Sequence, residues 1–413
     1  MSLDIKSWLL ENRGDVTLLC ICPASVEIVE ASIKEASHGY FIPMFVATPR
    51  QVDADRGYTG WSQKDLVEFV RSTSKKLGYT GPFLVARDHG GPYQSNRDRG
   101  RPEVSLDKAM SYAKETFAQD LRSGFSILHI DATEDSSRRE PLELDEVAQR
   151  TAEIIVYIEG VREREGLPGV YYEVGTEEIS GGITEPDNFE KFIRLLKSEL
   201  VGRGHGQAIK QLLFIVGQVG TTMRIDMTNH FDPKMAETLV GIASRHDLFL
   251  KVHYADWIEA TTLEQFPRLG IGAANVGPEF AAAIVEALGE LEKKEVQALR
   301  GAGKKIRSHI IETIEDAAIK GAPWRRFAPK GLKNQELEVF AKKHRREIAL
   351  CVGRYIMENP EVVEARQKLY ENLRGHSSMD DPHQFVVAHV QKAIHRYVRS
   401  FNLRNKICKI GKT

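Results

Sequence analysis

Asp88 and His89 stand side by side at the end of the apolar run PFLVARDH (82–89), directly ahead of Gly90, Gly91 and Pro92. A carboxylate beside an imidazole at a strand end can act as an acid/base group and a metal ligand in adjacent positions. The two glycines allow a substrate to approach the backbone closely. A second imidazole, His253, falls near the end of LFLKVHYAD (248–256), with Asp256 behind it. Two histidines ending different strands of one sheet point to a divalent metal, zinc first. Asp131 follows His129 by two residues in FSILHIDAT (125–133), and a carboxylate buried there is costly unless paired or metal-bound. Glu177, followed by Glu178, closes GVYYEVGTEE (169–178). Glu177 or Asp131 is therefore the expected third ligand, and Asp88, Asp131 and Glu177 are the candidate proton carriers.

Uncharged and basic groups at neighbouring strand ends suit substrate binding. Gln218 in LLFIVGQVG (212–220) and Asn275 in IGAANVGPEF (271–280) can hydrogen-bond a hydroxyl or a carbonyl. Gly277 permits a tight turn, and Pro278 suits the first position of a helix. The amides around Gly277 and Glu279 then form an expected phosphate site, with Lys251 as the nearest cation along the chain and Asp256 close by. No P-loop, nucleophile elbow, dinucleotide fingerprint or cysteine-rich zinc pattern occurs.

The elements that must position these residues follow from the runs that carry them. With 17–22 and 40–48, the apolar runs number eight, and most gaps between them have helical patterning. Alternating strands and helices imply an α/β fold with a parallel sheet, and eight units close a (β/α)8 TIM barrel. Helices are expected over 62–78, capped by Ser62, over 105–124, capped by Ser105, and over 144–166, 185–202 and 232–247. After Phe280 strand alternation ceases, so the expectation is a barrel over residues 1–290 and a helical C-terminal extension over 291–413. Within it, 321–331 (GAPWRRFAPKG) is a break, and 381–404 has the spacing of an amphipathic helix.

Composition narrows the function classes. The 57 basic and 58 acidic side chains give a net charge of −1, which argues against nucleic acid or an anionic membrane as partner. No apolar stretch approaches the roughly 20 residues a membrane helix needs. Four cysteines and an N-terminus without a signal-peptide pattern fit a reduced, cytoplasmic protein. A homo-oligomer is the expected assembly.

A set of local motifs recurs in a fixed order along nearly the whole chain. They are Gly57-Tyr58-Thr59-Gly60, Asp88-His89 with Gly91-Pro92, and Phe125-Ser126 leading to His129-Ile130-Asp131-Ala132. Gly175-Thr176-Glu177, Gly181-Gly182, Gln218 before Gly220, and His253 with Asp256 come next. Val276-Gly277-Pro278, Trp324-Arg325-Arg326 and Pro382-His383-Gln384 complete the series. In these the chain resembles the class II D-tagatose-1,6-bisphosphate aldolase accessory-subunit family of the GatZ/KbaZ type, a distant member of the class II aldolase superfamily. The resemblance implies Asp88 as the proton-transfer acid and His89 and His253 as metal ligands. Gln218 stands where catalytic class II aldolases carry a third histidine. Further departures are Arg87 and Gly90 around the Asp-His pair, Cys22-Pro23-Ala24-Ser25 after the first strand, and Tyr254-Ala255 after His253. The activity implied is metal-dependent retro-aldol cleavage or C4 epimerisation of a ketose phosphate. The alternatives are a non-catalytic subunit supporting a separate catalytic aldolase chain, and a sugar-phosphate-binding module.

Overall fold

Short runs of β-branched and aromatic residues bounded by polar ends become strands buried along their length, as a sheet covered by helices requires. The computed structural model describes residues 4–176, 184–300, 307–375 and 379–407. Helix α1 (Ile5–Glu11) precedes β1 (Leu18–Ile21), α2 (Val26–Gly39), β2 (Met44–Ala47) and α3 (Gln63–Lys76). Next come β3 (Leu84–Gly90), α4 (Leu106–Ser123), β4 (Ile127–Ile130), α5 (Leu144–Glu165) and β5 (Tyr171–Gly175). The series continues with α6 (Pro186–Gly202), β6 (Leu212–Val216), α7 (Pro233–Arg245) and β7 (Phe249–Val252). Two short helices, α8 (Ala260–Leu263) and α9 (Gln265–Leu269), lead to β8 (Ala273–Val276) and α10 (Pro278–Ala298). The eight strands pair in chain order, all parallel, and β8 closes on β1 with Leu18 opposite Ala273 and Ile21 opposite Val276. The fold is a (β/α)8 barrel with a C-terminal helical extension.

Local chemistry sets the helix limits. Ser62 and Asp65 form a reciprocal capping box at the start of α3, and the Ser105 hydroxyl accepts from the Lys108 amide at the start of α4. Gly124 and Gly166 end α4 and α5 in the left-handed region, at φ 90° and 64°.

The extension contains α11 (Ile310–Gly321), α12 (Asn334–Lys343), α13 (Arg345–Val352), α14 (Pro360–Gly375) and α15 (Pro382–Ser400). A 3-10 turn at Trp324–Phe327 occupies the expected break. Helix α15 buries Val386, Val390, Ile394 and Val398 in the same apolar core as the barrel. It packs on α2 and α10 outside the barrel, while other parts of the extension reach the loops that follow the strands. The Ile225 amide donates to the Phe327 carbonyl at 3.3 Å, and Tyr397 Oη donates to the Ala255 carbonyl at 3.2 Å. The extension therefore meets the face of the barrel that carries the candidate chemistry. Among the described residues no helix is long and apolar enough to cross a membrane.

The α2–α15 contact contains a titratable pair. His383 Nε2 lies 2.7 Å from Glu30 on α2, with Glu27 3.8 Å from its other ring nitrogen and Asp381 two residues before it in the chain. The Glu30 hydrogen bond holds the imidazole pKa above its ordinary 6.5, against burial. A raised folded pKa contributes stability that is complete below pH 6.5 and is lost as pH rises through the folded value. We expect the His383→Gln variant to lose stability relative to the parent at about pH 6 and to approach it at about pH 9 in denaturant titrations. A constant difference across that interval would show that the pair does not titrate with folding.

Candidate metal centre

Two consecutive strand residues normally point to opposite faces, yet Asp88 and His89 both reach the barrel mouth. The pairing of β3 with β4 slips between Arg87 and Gly90, and His89 adopts a left-handed φ of 46°. This bulge turns the second side chain to the same side as the first. The His89 amide donates to His129 Nδ1 at 3.1 Å, which pins the irregular backbone. Gly91 makes the close approach possible: a Cβ there would stand 1.9 Å from the Asp131 carbonyl oxygen. The glycine thus serves contact between β3 and β4 rather than the substrate approach expected from sequence. Arg87, the other neighbour of Asp88, points away from the mouth and makes a buried bidentate pair with Asp120 on α4.

Asp88, His129, Glu173 and His253 converge, one donor atom from each lying within 4.8 Å of the others, and all four are buried. The Glu173 carboxylate is 3.3 Å from His129 Nδ1 and 3.4 Å from His253 Nε2. Asp88 Oδ1 is 3.5 Å from His129 Nδ1 and 3.7 Å from His253 Nε2. The His89 ring completes an imidazole triangle, its centroid 5.1 Å from that of His129 and 4.9 Å from that of His253. Two imidazoles and two carboxylates form a donor set with the capacity to hold a divalent cation. His129 turns Nδ1 toward the two carboxylates, and its Nε2 is buried with no hydrogen-bond partner in the described chain.

Electrostatics keep the carboxylates ionised. Burial alone would raise the Glu173 pKa, but Lys251 and the two histidines hold it down to about 2. Asp88 likewise sits well below the usual carboxylate range despite burial, because His89 and His253 adjoin it. Burial pushes the Cys20 and Cys22 thiols up to about 12, and neither sulfur belongs to the converging donor set.

Several expected site residues hold other positions. Asp131, proposed as proton carrier or third ligand, lies beside the cluster. Its Oδ2 is 2.8 Å from His89 Nδ1 and accepts from Gln94 at 2.9 Å, while Thr133 donates to Oδ1. With both oxygens engaged, it orients His89. Lys251, expected to bind phosphate, is fully buried one pleat below His253, and its ammonium lies 2.6 Å from Glu173. That depth suits charge compensation within the barrel. Gln218 and Asn275 are buried at the mouth, each with a side-chain oxygen lacking a partner in the described chain. The Asn275 amide donates to Asp88 at 3.2 Å. Glu177 lies outside the described residues, as do Glu178, Gly181 and Gly182.

The expected phosphate site at α10 is filled from within. Asp256 Oδ1 accepts from the amides of Gly277 at 3.0 Å and Glu279 at 2.9 Å. A carboxylate of the chain itself takes the place foreseen for a substrate anion, so Asp256 is a helix cap. Gly277 is needed for packing, since a Cβ there would meet Cys22 Cβ at 2.6 Å. We expect Asp256→Ala to cost about 1–3 kcal/mol of stability, read as a lower denaturant midpoint, because two amides lose their acceptor. A variant as stable as the parent would show that water replaces the cap.

Two members of the cluster were missed as ligands. In the sequence His129 stands out only as a companion of Asp131, two residues before it. Glu173 is a lone acid inside the apolar stretch YYEVG, the same signal that singles out Lys251 in its own strand. Charge inside a strand interior, and not only at its end, is the signal that marks it.

Comparison with known proteins agrees with this architecture. The crystal structure of a probable tagatose 6 phosphate kinase from Sinorhizobium meliloti 1021 superposes with a TM-score of 0.77 at 20% identity, covering 93% of this chain and 100% of that one. At that identity the likeness concerns the fold alone. The D-tagatose 6-phosphate 4-epimerase of Agrobacterium fabrum (strain C58 / ATCC 33970) is 28% identical over 286 residues, 66% of each chain. The D-tagatose-1,6-bisphosphate aldolase subunit GatZ of Escherichia coli O6:K15:H31 (strain 536 / UPEC) is 24% identical over 345 residues, 79% of each chain. Residues 9–406, which span the barrel and nearly all of the extension, match one family throughout, and the chain belongs to it: the D-tagatose-1,6-bisphosphate aldolase subunit GatZ/KbaZ-like family.

Proposed function

We propose that this chain is a metal-dependent enzyme that breaks and re-forms the C3–C4 bond of a ketose phosphate, giving C4 epimerisation or retro-aldol cleavage. The observation that carries this reading is the convergence of Asp88, His129, Glu173 and His253 at the mouth of the barrel. His129, Glu173 and His253 would hold the ion, zinc first. When bound, the ion supplies Lewis-acid polarisation of the C2 carbonyl and stabilises the negative charge that develops there.

The chain's own groups do the rest. Asp88 is the more exposed of the two cluster carboxylates, at 6% against 0% for Glu173, which supports it as the group that meets substrate. It accepts the C4 hydroxyl proton as the C3–C4 bond breaks, C4 becomes an aldehyde, and the bonding pair passes to C3 in conjugation with C2. Attack of C3 on the opposite aldehyde face, with Asp88 returning the proton, yields the epimer. Departure of the aldehyde yields the cleavage products instead. The unpaired oxygens of Gln218 and Asn275 accept hydrogen bonds from sugar hydroxyls and keep the substrate in register. The relatives named as a tagatose 6-phosphate 4-epimerase and a tagatose-1,6-bisphosphate aldolase subunit support a ketose phosphate as substrate.

The test is incubation of the metal-loaded protein with tagatose and fructose 6-phosphates and their bisphosphates, followed for epimer formation and for trapped aldehyde. Turnover of any of these by the chain alone is the expected result. No turnover alone, with acceleration of an added catalytic tagatose-bisphosphate aldolase, would overturn it in favour of a supporting subunit.

A further inference from the structure

With the α10 terminus filled by Asp256, a phosphorylated substrate needs another anion site, and the mouth carries one group of cations with no assigned task. Arg50 lies in the loop after β2, while Arg354 comes from the extension, in the turn that follows α13. Among the described residues no carboxylate lies within 4 Å of either guanidinium, although both are partly buried. Arg354 donates to the Tyr355 hydroxyl at 2.8 Å and lies 4.8 Å over that ring, and its Nε is buried without a hydrogen-bond partner. Tyr355 packs edge-on against Tyr58 of the β2–α3 loop, with centroids 5.0 Å apart, which ties the extension to the loop that bears Arg50.

The position is next to the metal centre. A Cβ at Gly277 would stand 3.7 Å from an Arg354 guanidinium nitrogen and 2.7 Å from Cys22 Sγ. Gly277 follows β8 two residues after Asn275, which holds Asp88. Arg354 therefore lies on the β8–β1 side of the mouth, the side from which Asn275 reaches Asp88. Burial depresses the Arg50 pKa, and the charges of Arg99 and Arg326 depress it further. Among the described residues Arg99 pairs with Glu134 at 3.4 Å, and the same carboxylate also acts on Arg326. Two partly desolvated guanidiniums, of which Arg50 also feels the like charges of Arg99 and Arg326, with two tyrosine rings in contact between the elements that carry them, favour a dianion over any neutral ligand.

We propose that Arg50 and Arg354, with Tyr58 and Tyr355, form the site that binds the phosphate monoester of the substrate, so that the extension completes the site. This rests on the ketose-phosphate reading above, but the arginines can be tested without turnover. Inorganic phosphate is the probe, titrated by calorimetry into the full-length parent and into Arg50→Gln and Arg354→Gln. Metal content and thermal midpoint are measured alongside, and Arg354→Lys serves as the conservative variant should Arg354→Gln fold poorly. The expected result is phosphate binding by the parent that weakens about tenfold or more in Arg50→Gln and Arg354→Gln, with metal content unchanged. Arg354→Lys should keep part of it, since a point charge replaces a fork. Phosphate binding equal in parent and folded variants, or none in the parent, overturns the proposal. Arginine-dependent phosphate binding without turnover of any ketose phosphate would leave this site standing and overturn the catalytic reading instead.

Discussion

Glu173→Gln should purify without its divalent ion and without activity, whereas Asp88→Asn should keep the ion and still lose turnover by about 10²–10⁴-fold. The two carboxylates share a cluster but have different surroundings. Glu173 is fully buried, with one oxygen on Lys251 at 2.6 Å and the other 3.3–3.4 Å from both imidazoles. An amide in its place presents a neutral group where two histidines and an ammonium converge, and the attraction for a cation falls with it. Asp88 stands farther from both imidazoles, at 3.5 and 3.7 Å, and is steadied by Asn275. Asparagine preserves its shape but cannot accept the C4 hydroxyl proton. Elemental analysis and epimer formation, measured on the same preparations, decide the matter. Loss of the ion from Asp88→Asn would make Asp88 a ligand, and the proton would then need another carrier.

The barrel was legible because each strand announces itself by an apolar run and several helices by a cap. Ser62, Ser105, Gly124 and Gly166 hold the positions that their side chains, or the lack of one, dictate. The site was legible only at its upper layer. Strand ends drew attention to Asp88, Asp131 and His253, while the cluster also uses the layer one pleat deeper. His129 precedes Asp131 by two residues, and Lys251 precedes His253 by two. Period-two geometry puts each deeper residue on the same face as the end residue above it. The roles of Asp131 and Asp256 were not readable, because they depend on partners brought near by folding: His89 from the neighbouring strand and the amides that open α10. Arg354 had no signal at all. It comes from the extension, and no local pattern in the chain says that this turn comes back to the mouth.

Lys251→Met should destabilise the metal-free protein by about 3–5 kcal/mol, because it leaves Glu173 buried without its counter-charge. Burial opposes the ammonium, yet Glu173, first among its neighbours, keeps its pKa above the ordinary lysine value. The charges of Asp88, Glu173 and Lys251 sum to −1, and removing the ammonium makes that −2. A divalent ion brings the parent to +1 and the variant to neutrality, so the ion should favour the variant more strongly. The destabilisation seen in chelator should therefore shrink when zinc or manganese is supplied, as read from urea midpoints of both proteins in each condition. Equal destabilisation with and without the ion would mean that the ion does not share Glu173 with the lysine. In that case the buried pair is purely structural, and the cation site must be built from the histidines and Asp88 alone.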